Sequence, residues 1–423
     1  MAWVSLFVFL GKLAGAAKEM AVAARYGVSG TVDAYIFIFN LVTWPVSLWF
    51  SILTGVLIPL VSKIRKDSPA ELPRFRAELL GFTLLTGSIL SVLLWVGLPL
   101  LMNSQCTGLV SSSVLIAVKM VPGLALVGLL GLLASLFSAW TMSAGRYTNT
   151  LLEGVPSMTI LAALLVFSGN GSGPLIWGTL IGFILYVLCF IISFSWRGEI
   201  EAPQFAYSSV YWTVFWRGFG IVLAGQTLMS FIGIIDPFFA GHLGAGAIAS
   251  IGYANRVLAL ILGLGATAVA RATLPIFSEI NVWKDRSYRL VIQWVGILFA
   301  LGTAAMLISW WLAPWMLRLI FQRGAFTAMD TRVVTEIFCY GLPQLPFYFA
   351  GLVFVSFLAS QRKYKLIAVS AGINLIVKTA ANFIFVPFMG TKGLLIATDV
   401  MYGVSFITLY FFSNFSFKEN GQA

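Results

Sequence analysis

Ionisable side chains recur inside stretches of this sequence that are otherwise almost wholly apolar. Lys12, Lys18 and Glu19 lie in the first such stretch, and Asp33 opens the second. Asp236, Arg256, Arg271 and Lys378 lie in later ones, together with Lys119, Glu153, Arg217 and Asp399. An ionised group at the centre of a bilayer costs at least about 2.5–3.5 kcal/mol, so it needs an aqueous cavity or a partner. Lys12 and Glu19 are seven apart and share a helix face two turns from each other, with Lys18 alongside. Arg256 and Arg271 are fifteen apart, about four turns, and again fall on roughly one side. If both faces point inward, they line a cationic chamber. Such a chamber suits an anionic headgroup, above all a diphosphate, which arginine grips as a fork and lysine as a point charge. Asp236 and Lys378 read either as an ion-coupling site or as charge partners, and Glu19 as a possible neutraliser of its neighbours. Lys119, Glu153, Arg217 and Asp399 read as helix-end charges that snorkel.

Other chemistries find no residues to carry them. Cys106, Cys189 and Cys339 are scattered and odd in number, which suggests neither a disulfide framework nor a zinc site. A single histidine, His242, disfavours a histidine metal site or a triad. There is no nucleotide loop and no paired-carboxylate site, so no enzyme is expected. The net charge of +11 invites a nucleic-acid reading, but the basic residues sit in short loops where membrane orientation signals lie.

The elements that must position these charges follow from composition. Of the 423 residues 60% are apolar and 10% charged, against about 45–50% and 25% in soluble domains. The apolar runs are long and continuous, without the alternation of barrel strands, so the expected fold is an all-α polytopic membrane protein. Twelve transmembrane helices are expected, with cores near 3–24, 34–61, 80–102, 114–140, 149–168, 174–195, 214–240, 246–275, 289–312, 332–358, 366–387 and 394–413. They divide into two pseudo-symmetric six-helix bundles, 1–200 and 201–423, around a central cavity. With both termini in the cytoplasm, fourteen loop lysines and arginines fall inside and four outside. The apolar N-terminus lacks a basic n-region and a cleavage site, and reads as the first spanning helix.

The halves echo each other at an offset of 216–217 residues. Glu19 aligns with Asp236, Gly27 with Gly244, Arg146-Tyr147 with Lys363-Tyr364, and Gly173 with Gly390. The segments 57–62 and 273–278 also align. Parallel repeats of this kind are a transporter architecture. Gly11-Lys-Leu-Ala-Gly15 and Gly178-Thr-Leu-Ile-Gly182 have the GxxxG spacing of close helix packing.

Several blocks resemble the MurJ/MviN lipid II flippases of the multidrug/oligosaccharidyl-lipid/polysaccharide exporter superfamily. They are the stretch from Leu10 through Asp33-Ala-Tyr35 to Asn40, Tyr253-Ala-Asn255-Arg256-Val257, Arg323-Gly-Ala-Phe-Thr-Ala-Met-Asp330, and Asn374 to Gly390 with Asn382 and Pro387. The resemblance implies a flippase working by alternating access in the bacterial inner membrane, coupled to membrane potential or an ion and needing no cofactor. It implies cavity cations at Lys12, Lys18 and Arg256 with acidic partners at Glu19 and Asp33, and Asn255 and Arg271 stand with these as candidate substrate contacts. The substrate would be a polyprenyl-diphosphate glycolipid, held by a monomer among membrane lipids, with no nucleic acid. The sequence departs from the family pattern in four places. Lysines stand at 12 and 18 for arginines, Pro45-Val46 falls where an arginine pair is expected, Arg271 is an added cation, and the chain stops after the twelfth helix. The last departure makes a paralogue carrying another lipid-linked glycan the rival reading within the family. Outside it, the alternative is an ion-coupled multidrug antiporter of the same superfamily, which the excess of cations disfavours.

Overall fold

The computed structural model describes residues 2–104, 106–146, 148–169, 171–279, 284–361 and 363–421. Long helices fill it: α1 (Ala2–Tyr26), α2 (Gly30–Asp67), α3 (Leu72–Asn103), α4 (Ser111–Ser143), the short α5 (Thr148–Leu152), α6 (Val155–Val166), α7 (Gly173–Ser195), α8 (Trp212–Gly241), α9 (Ala247–Glu279), α10 (Lys284–Phe321), α11 (Ala328–Tyr340), α12 (Gln344–Ser360), α13 (Tyr364–Met389) and α14 (Thr391–Gly421). Among the described residues ten helical segments are long and apolar enough to cross a membrane, and the bent pair α11–α12 makes an eleventh. The remaining long helix is α1, which carries four charged residues. These twelve segments occupy the twelve apolar runs of the sequence.

Two of the expected continuous helices are broken. One breaks between α5 and α6 at Glu153-Gly154; the other bends by 42° between α11 and α12, around Gly341 and Pro343. Proline at 343 cannot supply the N–H that would continue α11. The carbonyl freed at Gly341 accepts a bond from Gln344 Nε2 at 2.5 Å, which meets the demand that backbone groups at membrane depth be satisfied inside the protein.

Two compact units divide the chain: one of residues 1–230 with 323–326, the other of 231–322 with 327–423. In the first, α4 is the most deeply buried span and packs against α2, α3 and α7. Its Phe137 and Trp140 lock against Phe190 and Phe194 of α7 at centroid distances of 5.7–6.0 Å. Both GxxxG motifs press on the same helix, α6. Gly11 of α1 meets Gly154, while Gly178 and Gly182 of α7 lie so close that an added Cβ would stand 2.9 Å from the Ile160 and Pro156 Cα atoms. In the second unit α12 is packed by α9, α10 and α14, and α13 lies along α14. Three helix starts repeat at the spacing of the sequence echo: Gly30 and Ala247, Ser111 and Ala328, Thr148 and Tyr364.

The connection 196–211 is pinned to α3. Glu78, with its side chain fully buried, accepts bonds from the Ser208 N–H (3.2 Å) and hydroxyl (2.6 Å), the Ser209 N–H (3.2 Å) and Trp212 Nε1 (2.6 Å). Gly81 gives the loop room, since a Cβ there would lie 2.0 Å from the Gln204 carbonyl oxygen. At the loop's start Arg146 grips Glu199 through both guanidinium nitrogens, one bond being 2.8 Å.

Two outcomes are expected from this latch. Glu78→Ala strands four donors, two of them buried, and lowers stability by about 3 kcal/mol, since each buried stranded donor costs about 1–3 kcal/mol and part relaxes. A lower melting midpoint in detergent and faster proteolysis within 196–211 check it; an unchanged loop refutes it. Bonding from Arg146 holds the Glu199 carboxyl below its ordinary range. The contribution of a depressed carboxylate is present above its unfolded-state value and lost as pH falls through the folded one. Wild type and Glu199→Gln should therefore differ by about 1 kcal/mol near neutrality and converge in acid, below the usual carboxylate range. Parallel melting curves at all pH values would show that the pair contributes nothing.

Candidate functional site

Each unit presents its own set of charges. In the first, α1 has no acidic residue in its first turn and carries its charges toward its C-terminal end. Lys12 is exposed. Lys18 and Glu19 pair at 2.5 Å, with side chains 16% and 14% exposed, so Glu19 neutralises its neighbour within one helix. Asp33 is buried in the first turn of α2. A carboxylate there faces the positive end of the helix dipole and its unpaired N–H groups. Arg25 closes α1 by donating to the Leu164 carbonyl at 2.7 Å and the Gly169 carbonyl at 3.1 Å, at the C-terminal end of α6.

In the second unit, α9 carries Asn255 and Arg256, both half-buried. The Arg256 guanidinium lies 5.8 Å from the ring centroid of the fully buried Tyr253, a cation–π contact three residues back along the helix. Arg271 lies in the same helix, but its side chain is outside the described residues.

The tightest cluster joins α8, α13 and α14. Lys378 is buried and its Nζ lies 2.8 Å from Asp236 Oδ1. It also donates to the Leu394 carbonyl at 2.9 Å and the Thr398 hydroxyl at 2.6 Å. Asn382, one turn further along α13, donates to the same Asp236 oxygen at 3.2 Å, and Asn374 donates to Ser405 at 3.0 Å. Residues 374, 378 and 382 thus form one polar stripe on α13. Removing one partner of a buried pair such as Asp236–Lys378 leaves an uncompensated charge, at a cost of about 3–5 kcal/mol.

The structure therefore brings together Lys18 with Glu19, and Asp236 with Lys378. Glu153 and Arg217 are exposed at the α5–α6 break and near the start of α8, as snorkelling charges should be, whereas Lys119, also exposed, lies eight residues into α4. Asp399 corrects its reading as a helix-end charge. Because α14 begins at Thr391, Asp399 lies two turns in, half-buried, where it feels the charge of Lys378. Its spacing of twenty-one residues from Lys378, across a short turn, was the only signal in the sequence.

The family model described as lipid II flippase MurJ matches residues 22–421. A probable lipid II flippase MurJ of Buchnera aphidicola is 22% identical over 426 residues, covering 96% of this chain and 81% of that protein. The lipid II flippase MurJ of Burkholderia cenocepacia is 22% identical over 419 residues, covering 94% and 80%. Among solved structures, a lipid II flippase MurJ in an inward closed conformation superposes with a TM-score of 0.85 at 20% identity, over 97% of this chain and 87% of that one. An inward-facing multidrug resistance MATE family transporter gives 0.80 at 14%, over 98% and 96%. These likenesses establish the fold, and the family match from residue 22 to residue 421 establishes the lineage: the chain belongs to the MurJ lipid II flippase family.

Proposed function

We propose that this membrane protein translocates a polyprenyl-diphosphate-linked glycan, lipid II or a related lipid-linked oligosaccharide, across the bacterial inner membrane by alternating access. The observation that carries the reading is the family match over nearly the whole chain. The charges on α1 and α9 support it. Lys12 is exposed, Lys18 lies partly buried beside Glu19, and the Arg256 guanidinium lies against the Tyr253 ring. Diphosphate oxygens are the acceptors such groups bind most strongly.

In this reading Lys12, Lys18 and Arg256 engage the diphosphate, and Asn255 adds a neutral donor. Glu19 and Asp33 keep the basic groups ordered when no substrate is bound. The polyprenyl tail stays in lipid throughout, since burying it in water would forfeit about 0.8 kcal/mol per methylene. The product serves peptidoglycan or another cell-surface polysaccharide. The chain works as a transporter with both termini cytoplasmic.

Native mass spectrometry of the purified protein tests the reading. The wild type should carry a polyprenyl-diphosphate lipid of defined headgroup mass. Lys18→Ala/Arg256→Ala should weaken binding by roughly 100-fold, two charge-assisted contacts amounting to about 3 kcal/mol. A folded wild type that takes up neither lipid II nor other diphosphate glycolipids, yet binds cationic dyes, would overturn it in favour of multidrug antiport. A double variant that binds lipid as the wild type does would remove Lys18 and Arg256 from the site.

A further inference from the structure

Three oxygen atoms close on the ammonium of Lys378: Asp236 Oδ1 of α8 at 2.8 Å, and the Leu394 carbonyl and Thr398 hydroxyl of α14 at 2.9 and 2.6 Å. An ammonium has three donors and no acceptor, so this set uses it completely. The side chain is 1% exposed. The surroundings remain rich in acceptors. Asn374, Asn382 and Asp399 each keep a buried side-chain oxygen without a hydrogen-bond partner among the described residues.

A buried ammonium needs all three donors satisfied, and the carboxylate meets only one of them. Here two neutral oxygens of α14 complete the enclosure, and no other side-chain donor among the described residues reaches the Leu394 carbonyl except the Thr398 hydroxyl of its own helix turn. A carboxylate, a backbone carbonyl and a hydroxyl, drawn from two helices, are the oxygen ligands that hard cations take. The point they surround is occupied by a positive charge covalently attached to α13.

We infer that the α8–α13–α14 cluster is an alkali-cation site occupied by the chain's own Lys378 ammonium, a tethered cation standing where a diffusible one would otherwise bind. Asp236 is then compensated without an ion drawn from solution, and this cluster takes no part in coupling transport to an alkali-ion gradient. The inference deepens the transporter reading by narrowing its energy source. Its test is a binding measurement that does not depend on which lipid is carried.

The purified protein is melted in detergent in choline chloride, sodium chloride and potassium chloride at equal ionic strength. The wild type should have one midpoint in all three. Lys378→Ala opens the enclosure and leaves Asp236 uncompensated; its midpoint should fall in choline and recover by several degrees in sodium or potassium, with saturation on titration. The two salts distinguish which ion fits the space. Asp236→Asn/Lys378→Ala lacks the carboxylate and should respond to neither. If Lys378→Ala is recovered folded only when an alkali salt is present, while the double variant is recovered in choline, the inference is equally supported. It is overturned if folded Lys378→Ala melts alike in all three salts, or if it aggregates in all three while the double variant folds. A sodium or potassium response of the wild type that Asp236→Asn abolishes, or an alkali response persisting in the double variant, also overturns it. Absence of bound glycolipid from the wild type would sink the flippase reading and leave these outcomes as they stand.

Discussion

A charge carried into hydrocarbon has to find its counter-charge or its hydrogen bonds within the protein, because the solvent there supplies neither. The polar architecture of this chain follows from that constraint. Lys378 is enclosed by a carboxylate and two neutral oxygens. Lys18 is matched by the next residue in its own helix. Glu78 is wrapped by four donors, three from the loop and one from the helix start it anchors. Where the helix itself fails, at the α11–α12 bend, the Gln344 side chain restores the lost backbone bond. Each case is local, and each fixes a helix or loop in register with its neighbour.

Between helices the constraint is steric, since lipid tails are as apolar as leucine and give no hydrophobic reason for spans to associate. Close approach substitutes for it. Glycines of α1 and α7 bring both helices onto α6, and Gly81 lets a loop lie directly on α3. Aromatic rings then fill what remains around α4, with tilted and edge-on contacts among Phe137, Trp140, Phe190 and Phe194. The long lipid-facing surfaces carry large exposed apolar side chains such as Trp311, Leu319 and Phe388, which a bilayer would cover.

What could be read from the sequence is what depends on composition and spacing. Apolar runs located the ten segments and the bent pair that are long and apolar enough to span, and the long helix α1 besides, because the length of a span is dictated by bilayer thickness. GxxxG spacing anticipated which faces of α1 and α7 pack closely, although the shared partner, α6, is a tertiary fact. The repeat offset recurred in the helix starts, and the Thr327–Asp330 block of the family resemblance is a capping box at the start of α11. Helix breaks at Glu153-Gly154 and Gly341–Pro343 were missed, since a glycine or proline inside an apolar run is compatible with a continuous membrane helix. Pairings between distant charges were the least legible. Asp236 and Lys378 stood out as charges, but nothing in their separation of more than a hundred residues said that two α14 oxygens would join them. Asp399 was misassigned because its helix starts earlier than its apolar run.

The two repeats use equivalent acidic positions differently, and this bears on how helices can move. Glu19 on α1 and Asp236 on α8 correspond at the repeat offset. The Glu19 pair closes within a single helix, so α1 can shift without separating those two charges. The Asp236 pair closes across helices, and parting α8 from α13 would leave two buried charges uncompensated, a penalty of several kcal/mol. The C-terminal part of α8 is therefore bound to α13 and α14 as one body, whereas the lysine–glutamate pair of α1 travels with its helix. Lys378, its three donors already committed, serves the integrity of its own half.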